Sequence, residues 1–477
     1  MGESKRSFWG IPGYEGLTWN SYPLLNGSDT MGLVESKPIV NQFKKPIFLR
    51  RSILCWLWLV SSFLFVACDE IGNPLAAPTT TPPPPTETPE PTLTPIPDPN
   101  TAAGFDDFLA QAEGSRVSNR QALANRYLAQ LTKAPVTTEN RAIFLWQGVA
   151  QTVQLAGDMN NWNLADAPSL IRLEGTDLWY LAAEFEPEAR LDYKFVLNGS
   201  DWRLDPLNPQ TMRGGFGPNS ELAMPGYIPP LELQPAAQEI PAGTLETHTI
   251  NSRHLNQTRT FFVYRPPGQL VGEKLPSVYF HDGSDYLNII DAPALLDRLI
   301  AGRQIPPLVA VFIPPINRNQ DYNRNEAYVQ FLSDELVPFI QANFATDPAP
   351  EKTATLGASL GGLAAIYTAA SRPDVFGLAA GQSGAYSLDE DAVLRQIAGQ
   401  GAEISGVPGL RFYLVVGSYE TAVSGNSQEG DLLAANRRLV NVLEDKGYDY
   451  LYKELPQGHS WGLWQATIGQ ALAYLLG

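Results

Sequence analysis

Cysteine and histidine are scarce in this sequence, and their scarcity excludes several classes of protein. The 477 residues include two cysteines, Cys55 and Cys68, and four histidines. Both cysteines lie close together near the N-terminus, so no disulfide framework can stabilise the body of the chain. The histidines are scattered without the paired spacing of zinc ligands. We therefore expect neither a metal site nor another cofactor.

Basic residues are also few compared with acidic ones. The chain has 33 Lys and Arg against 50 Asp and Glu, which gives a net charge of −17. Nucleic-acid binding needs clustered basic side chains, so nucleic acid is excluded as a partner. An acidic surface does not favour adsorption to an anionic bilayer either. Any membrane attachment should therefore come from a covalent or inserted anchor.

The sequence has one pronounced apolar run, residues Ile53–Ala67, and it is short for a spanning helix. It follows a basic stretch that contains Lys44, Lys45, Arg50 and Arg51. A spanning helix needs about 20 apolar residues, whereas a short run behind positive charges is typical of a secretory signal.

The end of this run, Phe65-Val66-Ala67-Cys68, resembles the lipobox of bacterial lipoproteins, with Phe where Leu is usual. The resemblance implies lipidation of Cys68 and an extracytoplasmic protein held at the cell membrane by its lipid anchor. An uncleaved signal anchor is the alternative. Because the tract before Lys44 is long, Met31 is a second candidate for the start of translation.

Composition divides the rest of the chain. A Pro/Thr-rich tract at residues 79–100 cannot form a core and indicates an extended stalk. Short helical patterns follow, then alternating apolar strands separated by Asn/Gly turns, and then apolar strands alternating with amphipathic helices. We predict a leader at 1–68, a linker at 69–101, a helical segment at 102–136, a β-sandwich at 137–230 and an α/β domain at 240–477.

The alternation of strands and helices predicts the fold class. Strands such as SVYFHDG, LVAVFIPP and RFYLVVGS are separated by helical stretches such as EAYVQFLSDELVPFIQANF. This rhythm predicts a doubly wound, mostly parallel sheet covered on both faces, preceded by a small immunoglobulin-like sandwich.

A candidate nucleophile lies in Gly357-Ala358-Ser359-Leu360-Gly361, a G-x-S-x-G motif. A strand-like TATL precedes the motif and a small-residue helix follows it, which is the context of the nucleophile elbow in α/β-hydrolases. In the chain order Ser, acid, His, the base follows the last strand. His459 is the one histidine C-terminal to Ser359 and comes directly after the strand DYLYKEL.

The acid that orients the imidazole should follow the preceding strand. Glu420 lies three residues after Gly417, where that strand ends, and we favour it over Asp431. Asp431 stays an alternative, although it opens a helix and is explained as its N-cap.

An oxyanion hole needs two N–H donors. We expect one from Leu360 and the other from the loop of Gly283 and Ser284, with Ser284 the preferred donor. His281 precedes this loop and is interpreted as structural or as lining the pocket.

These residues together resemble the esterase branch of the α/β-hydrolases that includes enterochelin esterases, feruloyl esterases and mycolyltransferases. The matching segments are HDG, GASLGG, RPDVFG, QSG, GSYE, ANRRL and GHSW, in the order found across residues 245–477. The resemblance implies a hydrolase of carboxylic esters. It does not specify the ester.

The upstream strands resemble the immunoglobulin-like E-set domain of enterochelin esterases, on the segments GDMNNW, DYKFVLNG and LDPLNP. This domain type is related to glycogen-binding modules. Trp162, Trp179 and Trp202 could therefore form a sugar-stacking platform, although such residues more often fill a core.

The leading hypothesis is a serine carboxylesterase of the enterochelin esterase-like family, acting outside the cytoplasm on a small-molecule or glycan ester. A cell-surface feruloyl or acetyl carbohydrate esterase, an acyltransferase and a non-catalytic glycan-binding module are the alternatives. Arg318 and Arg324 are candidates for a local basic patch that would receive an anionic substrate. The sequence leaves the ester and the oligomeric state open.

Overall fold

The computed structural model describes residues 98–234, 239–268, 272–400, 409–422 and 430–477, which belong to one compact unit. The predicted leader with Cys68, and the predicted linker up to residue 97, lie outside the described residues. None of the helices that the structure describes has the length and apolar composition needed to cross a lipid bilayer.

A helical hairpin opens the described chain. It consists of α1 (Ala102–Gly114) and α2 (Val117–Gln130). The Oγ1 of Thr101 caps α1 by accepting a hydrogen bond from the Gly104 N–H at 3.1 Å. Phe108 and Tyr127 stack between the helices with ring centroids 4.4 Å apart. Their apolar faces are buried together with residues of the following strands.

Two antiparallel sheets follow and pack as a sandwich. One sheet has the order β1-β2-β5-β4, and the other has the order β3-β6-β9-β8 with β7 paired to β6. The strands are β1 (Val136–Thr138), β2 (Arg141–Gln147), β3 (Val153–Gly157), β4 (Ile171–Arg172), β5 (Leu178–Glu184), β6 (Arg190–Leu197), β7 (Asp201–Arg203), β8 (Thr211–Gly214) and β9 (Gly217–Ala223).

Strand β2 shows why this sheet is covered on both faces. Successive side chains of a strand point to opposite faces. Ala142 and Phe144 join the core between the two sheets. Ile143 and Leu145 face the other way and join the core under the helical hairpin. The hairpin therefore occupies the outer face of this sheet and excludes water from it.

The C-terminal region forms an eight-stranded sheet in the order β10-β11-β13-β12-β14-β15-β16-β17. Strands β10 and β11 pair antiparallel with their neighbours and the other pairs are parallel. The strands are β10 (Thr244–Ser252), β11 (Gln257–Arg265), β12 (Ser277–His281), β13 (Val309–Ile313), β14 (Thr353–Ala358), β15 (Leu378–Gln382), β16 (Arg411–Gly417) and β17 (Asp449–Leu455).

Helices cover both faces of this sheet. They are α3 (Gly283–Asn288), α4 (Ala292–Ala301), α5 (Arg318–Tyr322), α6 (Glu326–Gln330), α7 (Val337–Phe344), α8 (Leu360–Ser371), α9 (Leu388–Gln400), α10 (Leu432–Lys446) and α11 (Trp461–Leu476). Two separate apolar cores lie on the two sides of the sheet. The predicted α/β-hydrolase architecture, with a sandwich before it, is confirmed.

One predicted helix is irregular. The sequence predicts a continuous helix over residues 326–344, but a π-helical turn at Phe331–Leu336 separates α6 from α7. Pro338 gives a physical reason, because proline has no N–H to donate and its ring clashes with the carbonyl four residues earlier. The helix widens just before this residue.

Candidate active site

Ser359 lies on a sharp turn at the centre of the eight-stranded sheet. Strand β14 ends at Ala358 and α8 begins at Leu360, so Ser359 alone makes the turn, with φ 57° and ψ −123°. A β-carbon at Gly357 would lie 2.3 Å from the Gly361 carbonyl oxygen. Glycine at both positions is what lets the strand and the helix approach this closely. The arrangement is a nucleophile elbow.

Hydrogen bonds fix the backbone of the elbow. The Ser359 N–H donates to the carbonyl of Gln382 at 2.8 Å, and the Ser359 carbonyl accepts from the Leu363 N–H at 3.1 Å. Residue Ser359 is 5% exposed. The two hydrogen bonds therefore hold the backbone that carries the Ser359 hydroxyl in one position.

The imidazole of His459 lies beside the Ser359 hydroxyl. His459 is in the loop between β17 and α11, and its Nε2 is 3.1 Å from Ser359 Oγ. Trp464, one turn into α11, packs edge-on against the imidazole with ring centroids 5.0 Å apart. This contact restricts rotation of the ring.

Glu420 completes a hydrogen-bonded chain with these two residues. Its Oε2 is 2.7 Å from His459 Nδ1. Its Oε1 accepts from the Gly417 N–H and from the Ser383 hydroxyl, each at 2.7 Å. A carboxylate only accepts hydrogen bonds, so Nδ1 of His459 must carry a proton. In the neutral imidazole, Nε2 is then left as an acceptor for the serine hydroxyl.

Asp431 occupies a different place. It is the N-cap of α10, and its Oδ1 accepts a hydrogen bond from the Ala434 N–H at 2.8 Å. The residue is exposed. Its carboxylate therefore satisfies a free N–H of the helix, and the structure brings Glu420 to the imidazole.

The predicted oxyanion donors lie at two neighbouring helix starts. The first N–H groups of a helix have no acceptor within it, and Leu360 begins α8 while Gly283 and Ser284 begin α3. Strands β12 and β14, which lead into these helices, are parallel neighbours. Their ends therefore meet at one edge of the sheet.

Glycine is required at position 283. A β-carbon there would lie 2.2 Å from the backbone nitrogen of Ile313. The chain therefore passes so close to β13 that no side chain fits. The donor roles of Leu360, Ser284 and Gly283 stay predictions.

His281 is part of the core. The residue is fully buried, with Nδ1 at 3.1 Å from the Tyr328 hydroxyl and Nε2 at 2.9 Å from Thr355 Oγ1. Burial lowers the pKa of His281 to about 3, because the charged form would lose its hydration. A neutral ring with both nitrogens occupied suits a structural role.

A charged pair lies beneath the elbow. Arg318 binds Asp282 through two hydrogen bonds of 2.9 Å, and its Nη2 is 3.3 Å from the Ala358 carbonyl. Burial, and then the negative charge of Asp282, raise the pKa of Asp285 to about 6, while Arg318 lowers it. The guanidinium that the sequence suggested as part of a basic patch is therefore paired with Asp282, and Asp285 is near enough for both charges to act on it. Arg324 follows α5 with φ 51°.

The three tryptophans proposed as a platform are separated. Trp179 is buried in the sandwich core, 6% exposed. Trp162 and Trp202 form a stacked pair with centroids 6.3 Å apart. A platform of all three is therefore wrong, because Trp179 fills the core. Only the pair remains a candidate surface.

Ser383 and Trp464 contribute to the site but carry no role in the sequence-based prediction. The Ser383 hydroxyl donates to Glu420 and accepts from Trp464 Nε1 at 2.9 Å. Ser383 lies in the QSG segment that carries the family resemblance, and Trp464 follows GHSW by one helical turn. Their positions, directly after β15 and in α11, were the signal from which the sequence could have indicated a place in the site.

Comparison with known families decides the identity of the C-terminal region. Residues 252–475 match the family model described as "Putative esterase". These residues belong to that esterase family. The esterase is a hydrolase acting on ester bonds, of the enterochelin esterase-like type.

Curated relatives extend the likeness beyond the esterase family segment. The Iron(III) enterobactin esterase of Escherichia coli O6:H1 is 26% identical over 354 residues, covering 67% of this chain and 84% of the relative. The acetyl esterase of Caldicellulosiruptor saccharolyticus is 23% identical over 196 residues, covering 35% of this chain and 71% of the relative. The first alignment is longer than the span 252–475, so it reaches into the sandwich.

Solved structures share the fold of the esterase. The enterochelin esterase of Shigella flexneri has a TM-score of 0.58 at 23% identity, covering 71% of this chain and 93% of that one. The ferric enterobactin esterase of Salmonella typhimurium has a TM-score of 0.60 at 22% identity, covering 70% and 93%. Within the described ranges, no group of three or more His, Cys, Asp or Glu side chains could hold a metal ion.

Proposed function

We propose that this esterase is a serine carboxylesterase with Ser359 as nucleophile, His459 as general base and Glu420 as the orienting acid. The continuous chain of hydrogen bonds carries the proposal. It runs from Ser359 Oγ to His459 Nε2 at 3.1 Å and from His459 Nδ1 to Glu420 at 2.7 Å. Both distances are within the reach that proton transfer requires.

In the proposed reaction, His459 Nε2 takes the hydroxyl proton as Ser359 Oγ attacks the ester carbonyl. Glu420 stabilises the resulting imidazolium through Nδ1. The N–H groups of Leu360 and Ser284 would hold the oxyanion of the tetrahedral intermediate, with Gly283 giving the loop its close approach. The imidazolium then protonates the leaving alcohol, and an acyl group remains on Ser359.

Water releases the acyl group by the reverse sequence. His459 removes a proton from the water as its oxygen attacks the acyl carbon, and the same proton returns to Ser359 as the acid departs. The Ser383 hydroxyl and the Gly417 N–H keep the second carboxylate oxygen of Glu420 occupied. The carboxylate therefore cannot rotate away from the imidazole during the cycle.

The names of the relatives support a proposal for the substrate class. Two of their names describe an Iron(III) enterobactin esterase and an acetyl esterase. The first relative aligns with both the sandwich and the esterase regions, and this favours a siderophore ester. An acetyl ester is the second candidate, because Asp282 and Asp285 reduce the positive field that an anionic siderophore would meet.

We also propose that the reaction takes place outside the cytoplasm, with lipid on Cys68 holding the protein at the membrane. The basic stretch, the short apolar run and the Pro/Thr-rich tract of the sequence support this. Mass spectrometry of the protein from its native membrane should find diacylglycerol on Cys68, and Cys68→Ser should release the protein. An unmodified Cys68 would contradict the anchor.

The esterase assignment is tested with p-nitrophenyl acetate and the full-length protein in detergent. Ser359→Ala should lower kcat by about 10⁴-fold or more, since the nucleophile is lost. Ser118→Ala, on the exposed face of α2, is the matched control and should leave kcat unchanged. Equal turnover by wild type and Ser359→Ala would refute the proposal. Parallel assays with siderophore, acetyl-xylan and feruloyl esters separate the substrate classes.

A further inference from the structure

Arg190 of the sandwich binds the His459 loop at positions before and after the histidine. Arg190, the first residue of β6, donates its backbone N–H to the Pro456 carbonyl at 3.0 Å. Its Nη1 donates to Ser460 Oγ at 3.1 Å. These contacts lie three residues before and one residue after His459. Arg190 is 1% exposed, so its guanidinium makes these contacts away from bulk water.

A second sandwich residue, Asp158, packs directly against the same loop. A β-carbon at Gly458 would lie 2.1 Å from the Asp158 Cγ and 2.3 Å from its Cβ. A β-carbon at Gly462 would lie 2.0 Å from Arg190 Nη1. Glycines on both sides of the histidine therefore let the loop lie directly on the buried side chains of Asp158 and Arg190.

Buried partners fix the geometry of these side chains. The guanidinium of Arg190 pairs with Asp192 at 2.7 Å and with Glu221 at 2.6 Å. Burial lowers the pKa of Arg190, but the two facing carboxylates raise it by more, so the charge is retained. Asp158 accepts hydrogen bonds from the Asp192 N–H at 2.7 Å and from Trp162 Nε1 at 3.0 Å. Arg190 cannot move without leaving buried carboxylates unpaired. Asp158 cannot move without leaving the Asp192 N–H and Trp162 Nε1 without their acceptor.

The sandwich also contacts the loop of Glu420. The Asn161 side chain accepts from the Ala422 N–H at 3.2 Å and donates to Thr421 Oγ1 at 3.3 Å. The Tyr419 hydroxyl donates to Glu186. Sandwich residues thus bind the chain on both sides of Glu420, as they do around His459.

The backbone contacts of Ser359 come from the esterase domain itself and not from the sandwich. Its backbone bonds to Gln382 and Leu363, which belong to the esterase domain. The sandwich therefore acts on the acid and base loops, and a shift of its surface would change where the imidazole lies relative to a nucleophile that stays in place. A misplacement of about 1 Å costs on the order of 10²-fold in rate.

We propose that Arg190 and Asp158 are positioning residues of the esterase, which hold the His459 loop so that its imidazole reaches both Ser359 and Glu420. This inference rests on the triad under Proposed function. It makes the sandwich a working part of the catalytic site, in addition to any role in binding substrate. Neither residue touches the reacting atoms.

The test is a double-mutant cycle on the full-length protein in detergent, with p-nitrophenyl acetate as substrate. Gly458→Ala forces the loop off Asp158 and should lower kcat by about 10²-fold, with KM changed by less than about two-fold. Asp158→Gly should lower kcat by about 10-fold, because the loop loses its support. The double variant should be no slower than Asp158→Gly, since the side chain that clashes is gone. Gly215→Ala, whose β-carbon meets nothing within 4 Å, is the control.

Two further readouts separate positioning from loss of folded protein. The pre-steady-state burst of p-nitrophenol counts competent sites and should stay near one per chain in each variant. The far-downfield proton resonance of the His459–Glu420 hydrogen bond should shift or broaden in Gly458→Ala and return in the double variant. Losses that multiply in the double variant, or a folded Gly458→Ala with wild-type kcat, would overturn the inference.

Ser460→Ala gives an independent measurement that adds no volume to the loop, and it decides the matter if Gly458→Ala does not fold. It removes the hydroxyl that binds Arg190 and should lower kcat about five-fold at unchanged burst amplitude. Wild-type kcat in this variant would overturn the inference. An active Ser359→Ala would instead refute the triad on which the inference rests.

Discussion

Ser359 and His459 lie 3.1 Å apart, but different parts of the molecule support them. Ser359, the proposed nucleophile, stands between a strand and a helix that are consecutive with it in the chain. His459, the proposed base, lies in a loop that is also bound by residues more than 250 positions earlier, as in the Arg190–Ser460 bond. Local structure therefore fixes the backbone of Ser359, whereas the loop of His459 is held in part by contacts between two domains.

The largest expected effect is that of replacing Glu420, and it separates Glu420 from Asp431 as the acid that orients His459. Glu420→Gln keeps the size of the side chain but replaces an acceptor of the imidazole N–H with an amide. We expect kcat to fall by about 10⁴-fold, the order found when a triad carboxylate becomes an amide. Asp431→Ala should retain kcat and lose about 1 kcal/mol of stability as a helix cap. A reversed pattern in steady-state kinetics would show that Asp431 is the acid.

Gly357→Ala tests the close approach of strand β14 and helix α8 on either side of Ser359. In Gly357→Ala, the new methyl group would lie 2.3 Å from the Gly361 carbonyl oxygen, and backbone cannot yield as a side chain can. The free energy of unfolding should fall by about 3 kcal/mol. Gly399→Ala, in α9 with nothing within 4 Å of its β-carbon, should be neutral or stabilising by up to about 1 kcal/mol. Denaturant titration checks both, and equal stabilities would contradict the close approach at the elbow.

Buried titratable groups should give the stability of the protein a pH dependence, and Asp205 in the sandwich is one that can be removed singly. Burial raises the pKa of Asp205 in the sandwich to about 6, while hydrogen bonds from Tyr193 and Leu207 lower it. The unfolded chain ionises this group first as the pH rises, so stability should fall between about pH 4 and 6 by about 3 kcal/mol. Asp205→Asn should abolish this fall in stability.

The control for this measurement is Ser118→Ala on the exposed face of α2, which removes no titratable group and should keep the pH profile of the wild type. His281 acts in the opposite direction in the esterase domain. Its lowered pKa favours the unfolded chain as the pH falls below 6.5. A profile that Asp205→Asn does not alter would contradict the burial of this carboxyl group.

The smallest effect concerns the contact between the sandwich and the Glu420 loop. Asn161→Ala removes two hydrogen bonds of 3.2 and 3.3 Å from the residues that follow Glu420. We expect kcat to fall about three-fold, because each such bond is worth about 1 kcal/mol and the loop keeps its other contacts. Asn119→Ala on α2 is the matched exposed control. A wild-type kcat in Asn161→Ala would limit the positioning role to the His459 loop.

Local patterns account for what could be predicted of the fold. Alternating apolar residues identified the sandwich strands, and apolar strands between amphipathic helices identified the parallel sheet. Strand β10 was missed because its sequence, TLETHTINS, is mostly polar and its side chains are largely exposed at the edge of the sheet. It is held by pairing with β11, which no periodicity within the segment reveals.

The candidate site divides in the same way. Ser359 could be found from its motif, and His459 and Glu420 from their order after the last strands. Ser383 and Trp464 could not be assigned, because their bonds to one another and to Glu420 arise from packing between distant segments. Arg190 reads in the sequence as an ordinary strand residue, and its burial against the His459 loop appears only when the two domains are together.

Covalent labelling of Ser359 tests the central claim most directly. The full-length esterase is incubated with a fluorophosphonate, digested and analysed by tandem mass spectrometry. We predict one phosphonyl group on Ser359 in the wild type, and a rate of labelling reduced by about 10³-fold or more in His459→Ala, because the hydroxyl loses its base. Wild-type protein that hydrolyses p-nitrophenyl acetate while Ser359 stays unlabelled would contradict the account.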